Sequence, residues 1–235
     1  MKMSHKILGC STIAAALVAT TTQAQNLLVD PSFENNTLTA NPITLAGVGQ
    51  GWATFGLGQS DMSAAPIGDN PKDGNYALLG SQASGSSWNN EGAYQIVSAN
   101  AGTTYTFSAW ALTDTPLTGS WGANTPAGYG VINGPVDIQL QFLDSALNSL
   151  ATFDYGWSPT GAVNTWQDYS ISGLAPAGTV YASAYLFFMD NGTTTTAQDL
   201  YYDATSLTPA PEPTTLALAG LGGVSLLSLI RRRKS

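Results

Sequence analysis

The chain has 235 residues, with 7 Lys and Arg against 15 Asp and Glu, one histidine and one cysteine. Between residues 26 and 208, Lys72 is the only basic residue against fourteen acidic ones, a formal charge of −13. Nucleic acid, bound through Lys and Arg, is excluded as a partner, and anionic membrane surfaces are equally poor ones; neutral glycans, divalent cations and other surface proteins remain. The acid excess is also what an exported protein needs merely to stay soluble.

The same count limits catalysis. His5 and Cys10 lie near the N-terminus and every arginine lies beyond residue 230. The segment between therefore has no Ser-His-Asp or Cys-His nucleophile system and no histidine-built zinc site. Only paired carboxylates are left for acid-base work, as in glycoside hydrolysis.

In chain order, Lys2 and Lys6 give a positive start, Ile7 to Ala19 is mostly apolar and small, and Thr22-Gln23-Ala24 fits a small-x-small cleavage site. Residues 1–24 read as a signal peptide, with the mature chain starting at Gln25. Cys10 precedes the apolar stretch, the wrong order for a lipid-bearing cysteine. With Cys10 removed the mature chain has no disulfide, so core packing or a metal must hold it.

Residues 26–208 suit a single all-β domain of two packed sheets, because short β-branched and aromatic segments alternate with Gly, Pro, Asn, Asp and Ser clusters. Predicted strands are 27–33, 51–55, 76–79, 92–97, 103–112, 136–143, 149–155, 166–171, 180–189 and 198–207. Alternation assigns faces in two of them. Tyr105, Phe107, Ala109 and Ala111 oppose Thr106, Ser108 and Trp110; Val136, Ile138, Leu140 and Phe142 oppose Asp137, Gln139 and Gln141. The amide- and hydroxyl-bearing side is either an ordinary solvated face or a surface whose planar hydrogen bonding and occasional ring suit a sugar.

Trp88, Trp121 and Trp157 sit in Gly/Ser/Asn/Pro-rich stretches that read as loops. Loops carry function more often than scaffolds do. These three, with Tyr129, are the ligand-contact candidates; plugging the ends of the sandwich is the competing role. Trp110 and Trp166, inside strand patterns, read as packing residues.

Asn26-Leu27-Leu28-Val29-Asp30-Pro31-Ser32-Phe33-Glu34 resembles the opening strand of galactose-binding-like jelly rolls, notably carbohydrate-binding modules of families four, nine and twenty-two. Tyr105-Thr106-Phe107-Ser108-Ala109-Trp110 resembles their long central strand. Trp166–Ile171 with Ala175-Pro176-Ala177-Gly178 is similar to their late strand and turn, and Tyr201-Tyr202-Asp203-Ala204-Thr205-Ser206-Leu207 to their closing strand. The resemblance implies a two-sheet jelly roll whose first and last strands share a structural calcium. Glu34 and Asp203 would be its carboxylate ligands, with backbone oxygens around Asp73-Gly74-Asn75 completing the shell. Ala204 departs from that pattern, since a second acidic residue is frequent there.

Residues 209–213 form a Pro-rich linker holding Pro211-Glu212-Pro213. Residues 214–230 carry no charge and give roughly 25 Å of helix at about 1.5 Å per residue, enough to cross a bilayer barely. Arg231, Arg232, Arg233 and Lys234 follow in a basic tail, 231–235, which stays cytoplasmic while everything before Pro211 is exported. The three parts in this order resemble the PEP-CTERM sorting signal of Gram-negative bacteria, whose partner is a membrane-embedded exosortase. The expectation is a non-enzymatic surface or extracellular-matrix protein that binds polysaccharide, transiently anchored by its C-terminal helix. A structural matrix protein that engages other proteins, or a carboxylate-based glycan hydrolase, are the alternatives.

Overall fold

Apolar residues at every second position become paired strands along most of the predicted segments. The computed structural model describes residues 24–35, 38–40, 45–56, 62–66, 71–82, 91–113, 136–157, 163–188 and 198–210. The described residues belong to one compact unit, 24–210. The signal peptide, the 214–230 helix and the basic tail lie outside the described residues. Among the described residues there is no α-helix, and no helix long and apolar enough to cross a membrane.

The described residues hold eleven strands in order: β1 (Thr39–Ala40), β2 (Ala53–Phe55), β3 (Met62–Pro66), β4 (Tyr76–Gln82), β5 (Glu91–Ser98), β6 (Thr104–Thr113), β7 (Val136–Leu143), β8 (Ser149–Trp157), β9 (Gln167–Leu174), β10 (Tyr181–Phe188) and β11 (Gln198–Pro209). They form a six-stranded sheet, β1-β2-β5-β10-β7-β8, and a five-stranded sheet, β3-β4-β11-β6-β9. All pairings are antiparallel except β1 with β2.

The expected facing holds. Phe107, Ala109 and Ala111 of β6 meet Ile138, Leu140 and Phe142 of β7 in the layer between the sheets, with Ala184, Leu186 and Phe188 of β10 and Leu200 and Tyr202 of β11. Each buried apolar side chain of this size contributes about 1.5–3 kcal/mol, which a domain without cysteine needs. Tyr202 is fully buried, and its hydroxyl donates to the Phe187 carbonyl at 2.8 Å. Burial, with Asp137 nearby, holds this phenol well above its ordinary range, so it remains a donor. Tyr202→Phe keeps the ring and removes that hydrogen bond. The expected loss is about 1–2 kcal/mol in urea unfolding, and an unchanged midpoint would show that the bond contributes nothing.

The opening segment differs from expectation. Residues 27–33 form no strand, because Asp30 and Phe33 take positive φ (50° and 58°), and side chains replace a regular ladder. The buried Gln95 amide clamps Val29, accepting from its N–H at 2.6 Å and donating to its carbonyl at 2.9 Å. Trp52 Nε1 donates to the Asp30 carbonyl at 3.0 Å. The expected closeness of first and last segments is nonetheless present: Leu27 N–H donates to the Leu207 carbonyl at 2.9 Å, and Thr205 N–H to the Pro31 carbonyl at 2.9 Å. β11 breaks register between Asp203 and Ser206, with Ala204 at φ 45°. This bulge points Thr205 at the opening segment.

Candidate functional site

The polar side of β7 does not face open water. Asp137, Gln139 and Ser183 are all 0% exposed, on the face of the six-stranded sheet turned away from the main core. Cross-strand register shows what surrounds them. Tyr185 of β10 lies between Tyr94 of β5 and Gln139 of β7, Ser183 lies between Ile96 and Gln141, and Phe187 lies between Gly92 and Asp137. Across the next pair, Gln139 faces Asp154 and Gln141 faces Thr152. The face is thus divided: rings on β2, β5 and β10, amides and two carboxylates on β7 and β8.

Both halves are internally organised. Tyr94 and Tyr185 stack at 5.5 Å, Tyr185 and Phe187 stack at 5.6 Å, and Phe55 meets Phe187 edge-on at 5.1 Å. Burial raises the Tyr94 phenol above its ordinary value. In the polar half, Gln139 Nε2 donates to Asp154 Oδ1, and Gln141 Nε2 donates to Gln139 Oε1 at 2.5 Å. That chain fixes amide orientation, so each remaining donor and acceptor points in a set direction. Val48, Leu147 and Tyr181 pack against the ring cluster. Phe55, Tyr181, Gln141, Thr152 and Asp154 are half-buried, and these are the positions a ligand reaches first.

Gly92 makes the arrangement possible. A Cβ there would lie 2.0 Å from the Leu186 carbonyl oxygen and 3.0 Å from the Phe55 ring. The missing side chain lets Phe55 close over the strand.

The resemblance-implied metal pair behaves differently. Glu34 and Asp203 do converge on one loop, as expected, but the loop turns N–H groups toward them. Glu34 Oε1 accepts from Asn75 and Tyr76, both at 2.7 Å. Asp203 Oδ2 accepts from Lys72 at 3.1 Å and Asp73 at 2.9 Å, and its Oδ1 accepts from Ala204 at 2.6 Å. As placed, these carboxylate oxygens anchor the loop through its N–H groups. Ser32 Oγ donates to an oxygen of a third carboxylate, Asp73 Oδ2, at 2.6 Å. Among the described residues no group of three or more His, Cys, Asp or Glu is placed to hold a metal. Desolvation raises the Asp203 carboxyl to about 6, against the lowering effect of its amide donors.

Of the ligand-contact candidates, Trp88, Trp121 and Tyr129 lie outside the described residues, as do Pro211, Glu212, Pro213, Arg231, Arg232 and Arg233. Trp157 is corrected: it ends β8 opposite Val136 rather than lying in a loop, because the Phe153-Asp154-Tyr155 run continues the ladder through Gly156. Trp110 is half-buried on the outer face of the five-stranded sheet, with Lys72 Nζ 3.4 Å above its ring. The domain's one basic side chain thus partners an aromatic face. Sequence reasoning passed over Tyr94, Tyr185 and Phe187. Their signal was present in β10, where Tyr185 and Phe187 alternate with Ala184, Leu186 and Phe188: a strand apolar on both sides has both sides covered.

The fold has relatives among solved structures. The enzymatically active domain of tailspike protein 4 from bacteriophage CBA120 aligns with TM-score 0.51 and 13% identity over 79% of this chain, which spans 21% of the tailspike chain. Carbohydrate-binding modules are also among the neighbours. TmCBM61, solved in complex with β-1,4-galactotriose, aligns at TM-score 0.49 and 15% identity, covering 80% of this chain and all of its own. A family 16 carbohydrate-binding module aligns at 0.46 and 16%, covering 78% of this chain and 99% of its own. At these identities the likeness concerns fold alone. No curated protein matches the chain in sequence. Residues 209–234 match the PEP-CTERM protein-sorting motif, so the chain carries an address for export and sorting to the cell envelope or surface of a Gram-negative bacterium.

Proposed function

We propose that this is an exosortase-processed surface or matrix protein whose β-sandwich binds neutral glycan, without catalysis, on the outer face of the six-stranded sheet. The observation that carries the reading is the half-buried margin of this face, where Gln141 and Asp154 end the hydrogen-bonded ladder and Phe55 and Tyr181 edge the buried Tyr94, Tyr185 and Phe187 rings. A sugar ring offers hydroxyls at its edge and a C–H face, and these two strips supply the complement of each. The formal charge of −13 between residues 26 and 208 directs the choice to uncharged polysaccharide. Trp88, Trp121, Tyr129 and Trp157 extend the contact set in this proposal. Residues 214–230 hold the chain in the membrane until processing, with 231–235 on the cytoplasmic side.

A glycan array probed with the exported domain, with and without calcium, tests the reading. Binding is expected to neutral glycans and to be indifferent to calcium. Gln141→Ala removes the half-buried end of the ladder and is expected to weaken affinity at least tenfold, about 1.4 kcal/mol, while leaving the melting temperature in place. A blank array, or equal retention by the variant, would reject this face as the site. Release of reducing sugar would convert the protein to an enzyme.

A further inference from the structure

The outer face of the five-stranded sheet carries a second surface of mixed aromatic and hydroxyl character. Strand register defines it, because residues directly opposite one another in a sheet point to the same side. Thr106 of β6 lies between Thr208 of β11 and Ser172 of β9, and Ser108 lies between Ser206 and Ser170. The hydroxyls thus form two rows across three strands. The next outward position along β6 is Trp110, opposite Asp168. Ser170, Ser172 and Asp168 are exposed, and the β6 and β11 members are half-buried. The patch extends about 10 Å across the strands and about 14 Å along β6. The Thr106 and Ser172 hydroxyls share a hydrogen bond at 2.7 Å, which orients them as a pair.

Lys72 reaches the ring because of what holds its backbone. Asp203 is the neighbour of Trp110 on β11, and its Oδ2 accepts from the N–H groups of Lys72 and Asp73. The anchored loop therefore delivers the only basic side chain of residues 26–208 to the Trp110 face, 3.4 Å from the ring centroid. The side chain itself is exposed. Its flexible four-carbon stem swings aside readily, and exposed cation–π contacts are the weaker ones. A ligand with a C–H face can take its place. Asp168 and the formal charge of −13 between residues 26 and 208 disfavour an anion there. An uncharged sugar meets both parts, with its C–H face on the ring and its hydroxyls against the two rows.

We propose that this is a second glycan-binding face, and that the domain joins two strands of neutral polysaccharide. The inference rests on the reading of the outer face of the six-stranded sheet as the first glycan site. Sheets of a sandwich pack about 10 Å apart with their inner faces together, so the two outer faces look in opposite directions. A polysaccharide segment lying on one cannot lie on the other. A matrix protein with one such face only coats its polymer; with two it cross-links. Engagement of both faces also adds avidity for a polymer network without any new contact at the first site.

The test uses the full-length chain in mild detergent, with galactan, xylan and β-glucan as probes, each set in a native gel and each supplied in solution with a fluorescent label. Wild-type protein held by a gel is expected to capture labelled polysaccharide of the same kind. Trp110→Ala is expected to stay on the gel through the other face while capture falls about tenfold, the value of a stacked ring. Ser170→Glu with Ser172→Glu alters exposed side chains only, leaves the melting temperature in place and is expected to lose capture in the same way. Lys72→Ala uncovers the ring and is expected to raise capture about threefold. Wild-type capture by either of the first two variants, or unchanged or lower capture by Lys72→Ala, would overturn the second face. Loss of gel retention in Trp110→Ala would make this the sole face and equally overturn the bridge. Sedimentation without polysaccharide should give a monomer; a dimer that Trp110→Ala dissociates would reassign the face to self-association. Wild-type protein that is retained but captures nothing would overturn the bridge and leave the first site standing. Wild-type protein retained by none of the gels would overturn the glycan reading, and this inference with it.

Discussion

Asp203→Ala is expected to lower the stability of the domain by about 3 kcal/mol at neutral pH, a fall of about 6–12 °C in melting temperature for a domain of this size. Asp203 is 0% exposed and accepts from the backbone of Lys72, Asp73 and Ala204. Alanine leaves three amides without their acceptor and releases the loop that also holds Glu34 through Asn75 and Tyr76. The pH dependence separates charge from anchoring. Burial raises this carboxyl to about 6 from an ordinary 3.8. Below the lower value both folded and unfolded forms are protonated and nothing is lost. As pH rises from about 4 to above 6, the unfolded chain ionises first, so the folded state loses up to about 3 kcal/mol over that interval.

Asp203→Asn keeps an oxygen for the amides of Lys72 and Asp73 but cannot ionise. Its stability at pH 4 is expected to stay within about 1 kcal/mol of the wild type, and the extra slope between pH 4 and 7 should vanish. Chemical denaturation of the three proteins across that range checks both statements; a slope retained in Asp203→Asn would place the titration elsewhere. Calcium added to the wild type, then chelated, should leave the melting curve unmoved, because the oxygens it needs are already held by N–H groups.

Gly92→Ala should disable the candidate face as well as weaken the fold. The new Cβ meets the Leu186 carbonyl oxygen at 2.0 Å, and a backbone atom in the β5–β10 ladder cannot rotate away as a side chain would. Overpacking costs typically 1–3 kcal/mol, and with backbone as the obstacle the expected loss is at the upper end, about 3 kcal/mol. Phe55, 3.0 Å from the same position, must also move from its edge-on contact with Phe187. Glycan affinity should therefore fall together with stability, whereas Gln141→Ala should affect affinity alone. Comparing the two variants by calorimetry distinguishes a site built on the ring cluster from one that uses the amide ladder only; undiminished binding by a folded Gly92→Ala protein would remove Phe55 from the site.

Local pattern carried much of the architecture. The facing of β6 and β7 was legible because side chains alternate across a strand regardless of its partners. The opening segment was misread as a strand because its apolar residues suit one, while the reason it is not, positive φ at Asp30 and Phe33 with Gln95, Trp52 and Thr205 as partners, depends on residues far away in the chain. Glu34 and Asp203 were legible as neighbours of one loop. That the loop turns N–H groups to them, and not carbonyls, is a matter of backbone orientation that residue identity does not encode.

By itself the sequence determined the sorting motif at 209–234, the all-β character of the segment before it, the absence of histidine, cysteine and arginine from residues 26–208, and hence the kinds of chemistry excluded. Those properties depend on composition, on periodicity and on short contiguous motifs. Only the tertiary structure decided that the polar side of β7 is covered rather than solvated and that Tyr94, Tyr185 and Phe187 stand beside Gln139. Each is a cross-strand relation between residues far apart in the chain, set by which strands pair and in what register, and strand pairing is settled by the packing of the whole sandwich.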